Sequence, residues 1–269
     1  MKYQSKFTRS PVLVAPVLLA AVIAVPAAAQ DDTQAGPYFG LSGGIALPQD
    51  SNNTGTTTTA VPETDDFGSI PEGTPIGWET DFDTGYTISG QAGYAFENGI
   101  RVEAEAAYSK YDVDDHQELS VGGAIIDGVD SAVLTRGPAS ADNPTVGDVL
   151  SDGQGDVSTF GLFGNVYYDI NTGGAIKPFV GAGLGYQWVD IDYQPSGVAV
   201  GEDSDSTFAY QLMAGASYAV TDGVEVFGQY TYRDTTEDVD IPLTILPADL
   251  DVGAKQSLVT AGVRVRFGG

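Results

Sequence analysis

Thr260-Ala261-Gly262-Val263-Arg264-Val265-Arg266-Phe267 is the stretch whose reading decides the fold. Apolar and polar side chains alternate along it, and an aromatic closes the run. Successive side chains of a β-strand point to opposite faces. One face therefore carries Val263, Val265 and Phe267, and the other Arg264 and Arg266.

Seven further stretches share the two-residue period. The first sets Phe39, Leu41 and Ile45 against Gly40, Ser42 and Gly44. The second sets Tyr86, Ile88, Ala92 and Tyr94 against Thr87, Ser89 and Gln91. The third sets Ile100, Val102, Ala104, Ala106 and Tyr108 against Arg101, Glu103, Glu105 and Ser109. The fourth opposes Phe160, Leu162, Val166 and Tyr168 to Asn165, Tyr167 and Asp169. The fifth opposes Val180, Leu184 and Trp188 to Gly181, Gly183, Gly185 and Gln187. The sixth gathers Phe208, Leu212, Ala214 and Tyr218, and the seventh sets Val226, Tyr230 and Tyr232 against Glu225, Gln229 and Arg233. A helix scatters such residues around its circumference, whereas a strand sorts them.

The connections alternate in length. Glu97-Asn98-Gly99, Asn171 to Ile176 and Thr221-Asp222-Gly223 are short, with the glycines that tight hairpins need. The others run from about Leu47 to Asp83, Asp112 to Asp156, Asp190 to Ser206 and Asp234 to Lys255. In order they hold 8, 10, 5 and 6 of the 37 acidic residues, with Arg136 and Lys255 as their basic residues. Short turns at one end and long loops at the other describe a transmembrane β-barrel. Periodicity alone leaves a soluble β-sandwich open. The aromatics speak against it, because they collect at two levels. Phe39, Phe96, Tyr168, Tyr218 and Phe267 lie at the short-turn ends. Tyr86, Tyr108, Phe160, Trp188, Phe208 and Tyr232 lie at the long-loop ends. Amphipathic rings favour the two lipid–water interfaces.

The N-terminus points to export. Lys2, Lys6 and Arg9 precede an apolar run from Pro11 to Val25, and Ala27-Ala28-Ala29 offers a cleavage site. Residues 1–29 are read as a secretory signal peptide and 30–269 as the barrel domain. The formal charge is −26, and removing those three basic residues leaves −29. Such a chain has no basic stripe for nucleic acid. It has no cysteine, and its single histidine, His116, leaves few routes to zinc or a His-based triad. No later apolar run is long enough for a membrane helix, so a membrane-spanning reading requires a barrel.

Specific segments carry a resemblance. Thr260, Gly262, Val265 and Phe267 resemble the C-terminal assembly signal of Gram-negative outer-membrane barrels, although Gly268 and Gly269 follow the aromatic. Gly36-Pro37-Tyr38-Phe39-Gly40, Gly161 to Asp169 and Lys177 to Gly185 resemble strands of OmpA-like small barrels. The chain is thus similar to the outer-membrane β-barrel domain family, with its OmpA-like, OmpX-like and opacity-type members. The resemblance implies an all-β, eight-stranded antiparallel barrel in the outer membrane, with short periplasmic turns and long acidic extracellular loops. It also implies contact with outer-membrane lipid and lipopolysaccharide, and handling by periplasmic chaperones and the barrel-assembly machinery. The peptidoglycan-binding domain of full OmpA proteins is expected to have no counterpart.

Within such a barrel, Arg101, Glu103, Glu105, Asp169, Glu225, Arg233, Arg264 and Arg266 form an inward charge network. An eight-stranded barrel is filled by side chains, so a structural ion-pair plug is the leading reading and a gated ion path its rival. Asp112, Asp114, Asp115, Asp190, Asp192, Glu202, Asp203 and Asp205 are candidate weak ligands for Ca²⁺ or Mg²⁺, although no run fits the EF-hand frame. No other cofactor is implied. His116, beside Asp115 in the longest loop, reads as a solvated pair. The expected function is non-enzymatic: a structural and surface-interaction protein with a loop-borne extracellular ligand. A small porin-like channel is the alternative, and a lipid-A-modifying enzyme a distant third.

Overall fold

The computed structural model describes residues 35–151, 153–194, 201–237, 239–242 and 247–267. The expected signal peptide lies outside them. The described residues form thirteen strands and two short helices: β1 (Gly36–Pro48), β2 (Ser51–Thr57), β3 (Pro75–Phe82), β4 (Gly85–Ala95), β5 (Ile100–Val121), β6 (Ala124–Ile125), α1 (Ala132–Thr135), α2 (Val146–Leu150), β7 (Gly155–Asp169), β8 (Ile176–Tyr193), β9 (Gly201–Thr221), β10 (Val224–Thr235), β11 (Val239–Pro242), β12 (Ala248–Val252) and β13 (Gln256–Arg266).

Antiparallel pairs run from β1 to β4, then β5, β7, β8, β9, β10 and β13, and β13 pairs back with β1. Closure leaves no open edge along this path, which is what a sheet in lipid requires. One row of directly opposed residues traces the closure. Tyr38 faces Gly93, then Glu103, Asn165, Gly183, Gln211, Arg233 and Gln256, which faces Pro48. The row returns to β1 ten residues beyond its start, at Pro48 rather than Tyr38. This stagger is the shear of a barrel whose strands tilt from its axis.

The outer wall is apolar. Leu41 and Leu184 are each 73 % exposed, and Phe39, Ile88, Val166, Val180, Leu212 and Val263 are exposed beside them. Large apolar side chains in such numbers on one continuous face match a lipid solvent. At the long-connection end the rings of Tyr86 and Tyr108, Phe160 and Trp188, Tyr186 and Phe208, and Tyr210 and Tyr232 pair along the wall. At the other end Phe39 meets Phe267 edge-on at 5.8 Å.

The long connections contain paired strand. β2, β3, β11 and β12 form a second sheet, ordered β11-β12-β2-β3 and joined to the upper part of β5. Asp112, Asp114, Asp115 and His116 stand in β5 rather than in a loop. Asp190 and Asp192 stand in β8, and Glu202, Asp203 and Asp205 in β9. The period-two pattern simply continues past the aromatic level. On β5 and β8 the acids Asp112, Asp114, Asp190 and Asp192 alternate with Tyr111, Val113, Val189, Ile191 and Tyr193, all buried. These residues join Ile76, Val157, Ala248, Val252 and Ala254 in an apolar cluster over the lumen. A side core of Leu119, Val146 and Leu150 seats α2, whose N-terminus carries a reciprocal Thr145–Asp148 capping box.

Candidate functional site

Alternation sends one face of every barrel strand inward, and the third, fourth, seventh and eighth barrel strands supply its charges. Arg101, Glu103, Glu105, Asp169, Glu225, Arg233 and Arg264 are all buried, and the Arg266 side chain is 8 % exposed. Four guanidinium groups thus share the interior with four carboxylates.

The charges form two groups at the short-turn end and a third mid-barrel. The Arg101 Nε donates to both Asp169 oxygens, at 3.0 and 2.8 Å, and its Nη1 lies 3.9 Å from Glu103. Arg264 and Arg266 grip the two oxygens of Glu225 at 3.0 and 2.8 Å. Higher up, the Arg233 Nη2 is 3.6 Å from Glu105, while Nε and Nη2 donate to the Gln211 carbonyl oxygen. Gln211 and Asn165 both donate to Glu105 at 2.8 Å. Glu103 accepts from the Tyr38 hydroxyl at 2.8 Å and from Tyr167 at 3.3 Å. Buried carboxylates supplied with this many donors are compensated for their lost hydration.

Aromatic rings fill the space between the charges. The Arg101 guanidinium lies 4.4 Å from the Tyr167 ring centroid and 5.1 Å from Phe179. Arg233 lies 4.3 Å from Phe163, and Arg264 4.7 Å from Phe227 and 5.1 Å from Tyr38. A cation desolvated against a ring face gains from the ring quadrupole. Tyr38, Phe163, Phe179 and Phe227 were not assigned inward by the alternation argument. A signal for them exists in β8, whose inward face reads Gly181, Gly183 and Gly185. Directly opposite on β7 stand Tyr167, Asn165 and Phe163. A stretch of strand with no inward side chains leaves room that its neighbour's large ones fill. Elsewhere a Cβ on Gly215 would stand 2.5 Å from Phe179, and one on Gly262 2.5 Å from Phe227.

The assembly-signal residues divide as their spacing implies. Thr260 and Gly262 face Gln229 and Phe227 on β10, whereas Val265 and Phe267 are exposed on the outer wall. The candidate metal ligands stand on three neighbouring strands, β5, β8 and β9, with β7 between β5 and β8. Asp112 faces Asp156, which faces Asp192, which faces Glu202, and Asp190 faces Ser158 and Ser204. Asp203 and Asp205 face Ile191 and Val189. Among the described residues no group of three or more His, Asp or Glu is arranged to hold a metal ion.

His116 also departs from expectation, because it is buried rather than solvated. Its ring packs edge-on against Tyr193 at 4.9 Å and Trp78 at 6.2 Å. Thr80 Oγ1 lies 2.9 Å from His116 Nδ1 and accepts from Asn53 and Trp78. Its own hydrogen is therefore assigned to His116 Nδ1, which acts as acceptor. Burial of the ring under Tyr193 closes it to a substrate.

Comparison with known proteins agrees with this architecture. The family model for the outer membrane protein beta-barrel domain matches residues 15–267, and the chain belongs to that family. A relative named "Outer membrane protein" from Gluconacetobacter diazotrophicus is 28% identical over 234 residues. The alignment covers 81% of this chain and 50% of the relative, so the chain spans about half of that protein's length. Among solved structures, the outer membrane protein OprG from Pseudomonas aeruginosa aligns with a TM-score of 0.52 at 16% identity, over 88% of this chain and 98% of that one. Neisserial surface protein A aligns with a TM-score of 0.43 at 16% identity, over 86% and 99%.

Proposed function

We propose that this chain is a plugged, eight-stranded outer-membrane barrel whose role is structural and surface-directed: it supports envelope integrity and makes external contacts through its long connections. In this reading the short turns face the periplasm and the acidic connections face outward, among lipopolysaccharide. Residues 1–29 are removed on export, and chaperones and the assembly machinery read Thr260, Gly262, Val265 and Phe267. The observation that carries the reading is the filled lumen. Paired arginines and aromatic rings occupy the short-turn half, and the cluster of Tyr111, Val157, Val189, Ile191 and Tyr193 covers the other end. A small barrel filled by side chains has no continuous water path.

The raised second sheet and the upper part of β5 supply the surface for contacts. Asn53 and Thr80 in the sheet are buried and hydrogen-bonded, and β5 carries the exposed acids Asp112 and Asp114. Weak Ca²⁺ or Mg²⁺ association belongs to this surface as a screening effect that bridges acids to anionic lipid.

Planar-bilayer recording of the refolded chain tests the reading, with folding verified by resistance to unfolding without boiling. A silent bilayer is expected. Discrete, voltage-dependent steps would replace the plug with the small-channel reading.

A further inference from the structure

Between the ion-pair network and the apolar cluster lies a layer that neither explains. Its described members are neutral. Ser109 stands two residues before Tyr111 on the same face of β5, Thr159 two after Val157 on β7, and Gln187 two before Val189 on β8. Gln256 stands on β13 directly opposite Arg233. The layer is therefore bounded on one side by the guanidinium bound to Glu105 and on the other by the apolar cluster. Thr87 and Ser109 share a hydrogen bond of 3.0 Å within it.

Gln187 and Gln256 are both fully buried. In each, neither the amide nitrogen nor the carbonyl oxygen has a hydrogen-bond partner among the described residues. This contrasts with Gln211 one layer below, whose nitrogen donates to Glu105 and Asn165 and whose oxygen accepts from Arg233. Buried polar atoms in folded proteins find partners in protein or in ordered water. A single orphaned atom is a local irregularity. Two whole amides at one level of a closed lumen, beside hydroxyl groups, define a neutral site of donors and acceptors.

We propose that Gln187 and Gln256 bind water, forming a buried hydration site held between two seals. Water bridging two or more polar groups replaces a direct hydrogen bond at little cost. The charged network closes the site on one side and the Tyr111–Tyr193 cluster on the other, so exchange with bulk requires one of them to move. The inference stands whether or not the lumen ever conducts.

Water-edited solid-state NMR of the wild-type chain in lipid vesicles reads the site directly. Magnetisation transfer from water to the Gln187 and Gln256 side-chain amides is expected to be several-fold faster than to Gln211. Transfer as slow as to Gln211 at both amides would overturn the proposal. Two variants give a second readout. If the amides are hydrated, Gln187→Leu and Gln256→Leu each lose bonds to water, lower the unfolding temperature and slow transfer at the remaining glutamine. If the amides are dry, an apolar side chain removes an unsatisfied group. A raised unfolding temperature in both variants would therefore also overturn it.

Discussion

The Phe163 ring covers Gly185 on the neighbouring strand, and a Cβ at position 185 would overlap both that ring and the Leu162 carbonyl oxygen. The ring is a side chain that moves, but the carbonyl belongs to the ladder. Gly185→Ala is therefore expected to cost about 1–3 kcal/mol, as overpacking does elsewhere. Gly164→Ala on the outer wall is the control, since its nearest heavy atom would be 4.0 Å away. Urea unfolding of both variants in micelles checks this. Equal midpoints would mean that the β7–β8 pair yields.

Asp169→Ala leaves the buried Arg101 guanidinium without the carboxylate that its Nε binds. Breaking a buried pair by removing one member costs about 3–5 kcal/mol. The outer-wall pair Lys110–Asp156 has the same 2.8 Å separation but is about one-third exposed on both sides. Lys110→Ala is expected to cost about 0.2–1 kcal/mol. Equilibrium unfolding of the two variants should differ in this order, and a reversed order would remove the distinction drawn between lumen and wall.

Arg264→Ala opens a gap between Glu225, Tyr38 and Phe227 without touching the apolar cluster at the far end. Conductance is expected to stay absent, and Glu103→Ala should behave alike. Steady ion flow through either variant would show that the ion pairs alone keep the lumen shut.

Acid is expected to loosen the α1–α2 segment before the barrel. Hydrogen bonds from the Ala132 and Ser140 backbone hold the Asp130 carboxyl below its ordinary 3.8, and bonds from Thr145 do the same for Asp148. A depressed folded value means that the contribution is complete above 3.8 and disappears as pH falls through the lower, folded value. Amide hydrogen exchange across residues 130–150 should rise in that window while β7 and β8 stay protected. Uniform protection down to the barrel's own acid transition would refute the local effect.

Asp156 stands between Asp112 and Asp192 in register, an arrangement that repels. Raising salt from about 0.01 M to 0.1 M shortens the screening length from about 30 to 10 Å. The unfolding temperature is expected to rise, and millimolar calcium should add to it only modestly. Absence of any calcium shift or heat would leave these acids as solvated charge.

The barrel wall was legible because lipid outside and charge inside give alternation a strong contrast, as at Arg101 to Tyr108. The inward placement of the arginines and carboxylates followed from the same phase, whereas their partners did not: alternation gives a side chain's face, and the Arg101–Asp169 pair needs the register between β5 and β7. Tyr38, Phe163, Phe179 and Phe227 were hidden because hydropathy assigns a lone aromatic to lipid, whereas these rings fill space left by glycines on adjacent strands. The pairing within the raised sheet was hidden for another reason. His116 owes its burial to Trp78 and Thr80 on β3 and Tyr193 on β8, residues brought together only by closure. Local pattern carries no information about such meetings.

The ten-residue advance of the Tyr38 row makes the lumen a screw thread rather than a stack of rings. A plane cut across the axis passes through residues from several rows, which is how Gln187 and Gln256 come to share a level while standing in different ones. Deleting one residue from any barrel strand would shift its thread by half a pleat and turn its inward groups toward lipid. Insertions in the long connections leave the pitch unchanged. The part of this protein free to diversify is therefore the part outside the thread.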